Sequence, residues 1–475
     1  MIVNHFMKQT DTITNTAKSI RRITVSALLV ATLFIAGTHP SSAAQQGKAQ
    51  AQQTAQSVVA KQAALVTEFD VNGLKVLLKR REGSLTVAAG LFFRGGAANI
   101  NSQNAGIETL MLSAATEAST NFPRERMRSE LSQMGTVIGS SSNNDYSVLS
   151  LATTRLHFDR SWQIFTDVAL RPSFTKEDVG LVQQRMVVSL SDDTDNPDVY
   201  LQKLQEHVAY AGHPYLNSTG GTPETVGKLT VADLRAYHAK LMETSRLLLV
   251  IVGDLNPAEV RDLVTASFGK LPRGNYKTET VPPLVFDKSS VEVTTRELPT
   301  NYIQGLFTAP SLTSPDIYPM RVASSLLRDR VFEEVRVKRN LSYAPDAFLR
   351  TQAANVGGLY VTAVDANQSI RVMLSEIARL QNESVSNDDI HAVVAQYLTT
   401  YYLGQETNAA QAGELAQYEL IGGGWRNSVD FLQRLEAVTP ADIQRVAQKY
   451  MRNIRFVVLG NPKSVDTGVF LGQAE

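Results

Sequence analysis

Two periods of hydrophobic and polar positions run along this chain. Short, dense apolar runs such as Leu247-Leu-Leu-Val-Ile-Val252 and Phe456-Val-Val-Leu459 have the length and β-branched content of buried strands. Between such runs, apolar residues recur at i, i+3, i+4 and i+7, the stripe of a helix that buries one side. Ile107, Leu110, Met111, Ala114 and Ala115 form the clearest example. From Val66 onward, strands are predicted at 74–79 and 85–93, joined as a hairpin by Arg80-Arg-Glu-Gly83. A second strand pair is predicted within 135–153, around Ser140 to Asp145. Helices follow at 157–170, 175–189, about 200–210 and 230–242, and a strand at 246–252 closes on Gly253-Asp254.

The later part of the chain reads in the same way. A long helix is predicted over 318–339, with Val322, Leu326, Leu327, Val331 and Val335 as its buried stripe. Asn340 can adopt the left-handed conformation that stops a helix, and Pro345 prevents resumption. Strands surround Gly357-Gly358 within 351–364, helices occupy 370–380, 387–402 and 409–420, and Gly422-Gly-Gly-Trp425 is a loop.

An internal repeat organises these elements. Leu229-Thr-Val-Ala-Asp-Leu234 matches Val438-Thr-Pro-Ala-Asp-Ile443 at an offset of about 208 residues. Each opens a helix with a Thr-x-x-Asp cap, whose side chains satisfy free backbone donors. Each helix leads to an apolar strand and a turn, Gly253-Asp254 and Gly460-Asn461. The fold class is therefore α+β, with two homologous domains, each a mostly antiparallel sheet packed with helices. The domains are placed at 65–268 and 291–465, with a Pro- and Gly-containing linker at 269–290 and a tail at 466–475.

Composition narrows the chemistry. Lys plus Arg and Asp plus Glu each number 46 in 475 residues, so balanced charge gives no support for nucleic acid as a partner. No cysteine is present, which removes disulfides, thiolate metal sites and cysteine nucleophiles. Gly-x-Ser-x-Gly, P-loop and dinucleotide glycine motifs are absent. At the N-terminus, Lys18, Arg21 and Arg22 precede an apolar run from Ile23 to Gly37, and Ser42-Ala43-Ala44 supplies small residues for cleavage. This is the layout of an export signal over 1–44, followed by an Ala/Gln-rich leader at 45–64. The run is short for a spanning helix, so no stable membrane insertion is expected after cleavage, and an uncleaved anchor is the lesser alternative.

On the helix that follows Gly106, Thr109, Leu112 and Ser113 occupy i, i+3 and i+4 of one face. An inverted zinc motif, H-x-x-E-H, uses that spacing, but these three side chains supply no zinc ligand. His207, His213 and His238 have no ligand spacing among themselves. Taken alone, the stretch is an amphipathic helix.

Several motifs together resemble the pitrilysin/insulinase family of inverted-zinc peptidases. They are the strands before Gly95-Gly96, the Asn104 to Ile107 opening, His213-Pro214-Tyr215, the helix-strand-Gly-Asp closure, and Phe332-Glu-Glu-Val-Arg336 through Tyr343. The resemblance covers most of 66–462, and bacterial two-subunit members and the mitochondrial processing peptidase are similar in size and layout. It implies domains that form a bowl or half of a clamshell. It places the zinc ligands and catalytic base at Thr109, Leu112, Ser113 and, further on, Leu190, so all four functional positions are degenerate. It also implies that Arg336 and Tyr343 bind and polarise substrate carbonyls. Residues alone allow a plainer reading, a helix-terminal arginine satisfying carbonyls and a tyrosine packed in the core.

The resemblance implies a non-catalytic subunit without a cofactor of its own, and the N-terminal layout adds that it is exported and periplasmic. Arg336 and Tyr343 would complete, in trans, the site of a related H-x-x-E-H subunit that holds the zinc. The substrate would be a peptide or unfolded protein, laid along the edge strand within 135–146. The alternative is a structural or peptide-binding protein of the same fold with no role in proteolysis.

Overall fold

The computed structural model describes residues 60–192 and 194–472. The expected export signal and most of the leader lie outside the described residues. Among those described, no helix is long and apolar enough to cross a membrane.

The first half builds a six-stranded sheet from β1 (Val66–Val71), β2 (Leu74–Arg80), β3 (Thr86–Arg94), β4 (Val137–Ser142), β5 (Tyr146–Thr154) and β6 (Leu247–Gly253). Its longer helices are α1 (Ile107–Ala115), α2 (Arg124–Met134), α3 (Phe158–Leu170), α4 (Lys176–Asp192), α5 (Pro197–Ala209), α6 (Val231–Leu241) and α7 (Pro257–Phe268). The second half contributes β7 (Ser290–Thr295), β8 (Asn301–Thr308), β9 (Asp346–Leu349), β10 (Val356–Ala363) and β11 (Arg455–Gly460). Its longer helices are α8 (Ile317–Val331), α9 (Ala366–Asn382), α10 (Asn387–Gly404), α11 (Asn408–Ile421) and α12 (Pro440–Tyr450).

The sheet orders are β1-β2-β6-β3-β5-β4 and β7-β11-β8-β10-β9. Without β1, the first order maps onto the second strand for strand. Each sheet is antiparallel except for one parallel pair, β2 with β6 and β7 with β11. Thr230 and Thr439 both form complete capping boxes with the aspartate three residues on. The fold is thus the duplicated α+β architecture read from the repeat.

The expected hairpin through Arg80 to Gly83 does not form. β6 lies between β2 and β3, parallel to one and antiparallel to the other. Every residue of β6 is buried, so it needs a strand on each side, and β2 and β3 supply them. The true hairpin is β1–β2. Its turn residues Asn72 and Gly73 both have positive φ, the backbone of a tight two-residue turn. In the second half, β9 begins earlier than the strands expected around Gly357-Gly358 and pairs with β10 at Gly357 and Leu349.

Each half lends a helix to the other's sheet. α11 packs Ala412, Leu415 and Ala416 over Leu77, Phe92, Leu248 and Val250 of the first sheet. α5 packs Leu201 over Val457 and Leu459 of the second. Residues 269–290 are not a free linker, because Phe286 is buried under the Arg455 guanidinium and its carbonyl accepts from Asn453. The expected tail from 466 contains a short helix whose Phe470 packs edge-on against Phe456.

Candidate functional site

α1 begins at Gly106, where φ is +90° and an added Cβ would lie 2.7 Å from Val226 and 3.0 Å from the Gly220 carbonyl oxygen. Glycine lets the helix start press against that loop. α1 then packs against β4, α4 and α6. β4 is the outer strand of the first sheet and pairs only with β5 among the described residues. This edge lies within the stretch expected to receive a peptide, 135–146.

Three of the degenerate positions lie on α1, and the fourth, Leu190, lies on α4, which packs against α1. The Thr109 hydroxyl donates to the Thr219 carbonyl at 2.6 Å. The Leu112 side chain is 2 % exposed and belongs to the hydrophobic core of the first half. The Ser113 and Ser140 hydroxyl oxygens lie 3.5 Å apart, which ties α1 to the edge strand. Leu190, near the end of α4, is half-buried and packs against the same core. Neutral hydroxyls and alkyl groups neither bind zinc tightly nor take a proton from water. Among the described residues, no group of three or more His, Cys, Asp and Glu side chains gathers closely enough to hold a metal.

The charged and imidazole side chains nearby have structural partners. Glu117, just beyond α1, receives Arg124 at 3.5 Å, Arg128 at 2.8 Å and Arg185 at 3.1 Å. Glu108 points inward, is 2 % exposed and accepts a 2.7 Å hydrogen bond from the Tyr237 hydroxyl. Burial pushes the Glu108 carboxyl above its usual range despite that bond. His213 places Nε2 2.9 Å from the Pro282 carbonyl, while its Nδ1 accepts from the Tyr215 amide. His238 places Nε2 2.8 Å from the Ala169 carbonyl.

The second set lies in the other half. α8 is α-helical only to Val331, and residues 332–338 continue as a π-helix rather than as the single helix expected to 339. Asn340 stops it with φ +51°, and the Leu341 amide donates to the Val335 carbonyl at 2.9 Å. That stop brings Tyr343 back over Arg336. The guanidinium carbon lies 4.0 Å from the Tyr343 ring centre and 5.0 Å from the Phe332 ring centre.

Arg336 makes no hydrogen bond or ion pair with a described residue, and Tyr343 is 79 % exposed. The arginine is therefore not spent on helix carbonyls, and the tyrosine is not core. Two rings lie against the guanidinium, and its N–H groups have no acceptor among the described residues. Phe332, which opens the Phe332-Glu-Glu-Val-Arg336 segment, gains a contact role here, its i−4 spacing from Arg336 placing both on one helical face. No hydrogen bond, ion pair or ring contact among the described residues joins this stack to α1.

Comparisons with known proteins bear on the family and the fold. A family model described as Insulinase (Peptidase family M16) matches residues 75–222, and one described as Peptidase M16 inactive domain matches residues 228–397. The mitochondrial-processing peptidase subunit beta of Blastocladiella emersonii is 22 % identical over 410 residues, covering 82 % of this chain and 87 % of that protein. A Helicobacter pylori protein described as the non-peptidase homologue YmxG is 20 % identical over 419 residues, covering 85 % of this chain and 96 % of that one. Among solved structures, a peptidase M16 inactive domain from Pseudomonas fluorescens superposes with a TM-score of 0.77 at 17 % identity. That superposition covers 83 % of this chain and 98 % of the other and shows the shared fold.

Proposed function

This chain belongs to the insulinase (M16) peptidase family as a non-catalytic member, and we propose that it is the substrate-binding subunit of a periplasmic, heterodimeric zinc metalloendopeptidase. One observation carries the reading. Tyr343 is exposed, and the half-buried Arg336 guanidinium stacked on it makes no hydrogen bond or ion pair with a described residue, in a chain whose zinc positions hold Thr109, Leu112, Ser113 and Leu190. A pair retained only for stability would gain little from such exposure.

The division of labour follows from the side chains. A related partner with H-x-x-E-H would hold the zinc and supply Lewis-acid and water-activating chemistry. Arg336 and Tyr343 of this chain donate to peptide carbonyls and to the oxyanion as charge develops. The open edge of β4 pairs with an extended peptide backbone. The export signal over 1–44 supports placement in the periplasm, and the M16 relative named as a subunit supports assembly with another chain.

The same loss of zinc ligands also suits a structural or peptide-binding protein that takes no part in proteolysis. Arg336→Ala in the reconstituted complex separates the two. Lost turnover with intact assembly supports the shared site, and unchanged turnover supports the structural role.

A further inference from the structure

A separate cavity of about 680 Å³ lies between the β1–β2 end of the first sheet and helices of the second half. Its walls include Leu65, Leu398, Tyr402, Leu415 and Leu432, and Lys79 of β2 lines it from the sheet. Its apolar residues are interleaved with charged and amide side chains, a mixed lining that suits an amphipathic small molecule.

The charge pattern on β2 points to the ligand. Lys75 and Lys79, four residues apart on β2, share one face of the strand. Lys75 is satisfied by Glu68 at 3.0 Å and Glu419 at 2.7 Å. Lys79 makes no hydrogen bond or ion pair with a described residue. Its neighbouring carboxylate, Glu414, accepts instead from the Tyr401 hydroxyl at 3.2 Å. Burial pushes the Lys79 ammonium down and the Glu414 carboxyl up, and the attraction between the two only partly offsets it. The arginines at the rim are engaged, Arg80 with Asp254 and Arg81 with the Glu406 carbonyl and Asn408. Glu82, Glu406 and Glu436 lie at the rim too, and they disfavour an anion that would stop there rather than reach Lys79.

We propose that this cavity binds a small amphipathic carboxylate, its head on Lys79 and its tail along Leu398, Tyr402, Leu415 and Leu432. The site is independent of the peptidase reading, since it shares no residue with the Arg336–Tyr343 stack or the α1 corner.

The test titrates the mature chain with decanoate and with decanol, both below micelle-forming concentration, by calorimetry. Decanoate is expected to bind one per chain and about tenfold or more tighter than decanol, the difference one ionic contact supplies. Lys79→Met should reduce decanoate to the decanol level, Lys270→Met should change nothing, and Leu398→Trp should abolish both by filling the cavity. Circular dichroism and melting temperature confirm that each variant is folded. Equal affinity for decanoate and decanol, no saturable binding, or full decanoate affinity in Lys79→Met would overturn the proposal. Should Lys79→Met fail to fold, the decanoate–decanol comparison in the native chain and in Leu398→Trp still decides it.

Discussion

The Arg336 guanidinium carbon sits 4.0 Å from the Tyr343 ring centre, across a helix stop set by the left-handed Asn340. With Tyr343 exposed and Arg336 half-buried, the stack contributes on the order of 0.5–1 kcal/mol to stability. Arg336→Ala should therefore melt within a few degrees of the native chain. Tyr343→Phe keeps the ring under the guanidinium and removes only the phenol donor. In the reconstituted complex it should lower turnover by about tenfold to a hundredfold, an effect measured as kcat/KM on a peptide. A loss of folding in either variant would mark the pair as structural.

Glu108 gives a pH signature. Its carboxyl has an ordinary value of 4.5 and is raised in the folded chain, chiefly by burial. Its contribution is intact below about pH 4.5 and is lost as pH rises through the folded value. Glu108→Gln keeps an acceptor for Tyr237 and removes the ionisation. Urea melts should show the variant gaining on the native chain from pH 5 to pH 8. An equal difference at both pH values would mean that Glu108 stays solvated.

Asp316 behaves in the opposite sense. Burial opposes its charge, but Lys449, Arg445 and Tyr450 outweigh that and hold the carboxyl at about 2, below its ordinary 3.8. The stability it confers is present above pH 3.8 and is lost as pH falls towards 2. Both cations are about half exposed, so screening discounts the interaction. Asp316→Asn should cost about 1 kcal/mol at pH 7 and almost nothing at pH 2, measured by denaturant melts.

How much of this was legible in the sequence depended on the range of the interaction. The capping boxes at Thr230 and Thr439 and the stop at Asn340 are local chemistry, and each appears where the residues placed it. The β2–β3 hairpin failed because strand order is set by distant pairing. An all-buried β6, some 150 residues later, takes the place between them. Asn72-Gly73 was the local signal for the true hairpin and went unread. At the site, Thr109, Leu112 and Ser113 were correctly placed on one helix, because helical periodicity alone puts them there. The ring of Phe332 against Arg336 and the buried Glu108–Tyr237 pair depend on packing that no motif announces. The π-helical turn carrying Arg336 was likewise invisible, since its residues continue an ordinary helical pattern up to Asn340.

The assignment of four lost positions can be tested by restoring them. Thr109→His, Leu112→Glu, Ser113→His and Leu190→Glu together recreate the family's ligands and base. The quadruple variant should retain about one zinc per chain after dialysis, by atomic absorption. Leu112→Glu alone should destabilise by about 2–5 kcal/mol, because it places a carboxylate in the core. No zinc in a folded quadruple variant would mean that Leu190 is not the fourth position.

The most direct test of the shared-site account is zinc content and peptide hydrolysis of the purified chain, alone and mixed with an exported relative that carries H-x-x-E-H. The account predicts no zinc and no hydrolysis by the chain alone, with hydrolysis appearing or rising sharply on mixing. Stoichiometric zinc and activity in the isolated chain would contradict it.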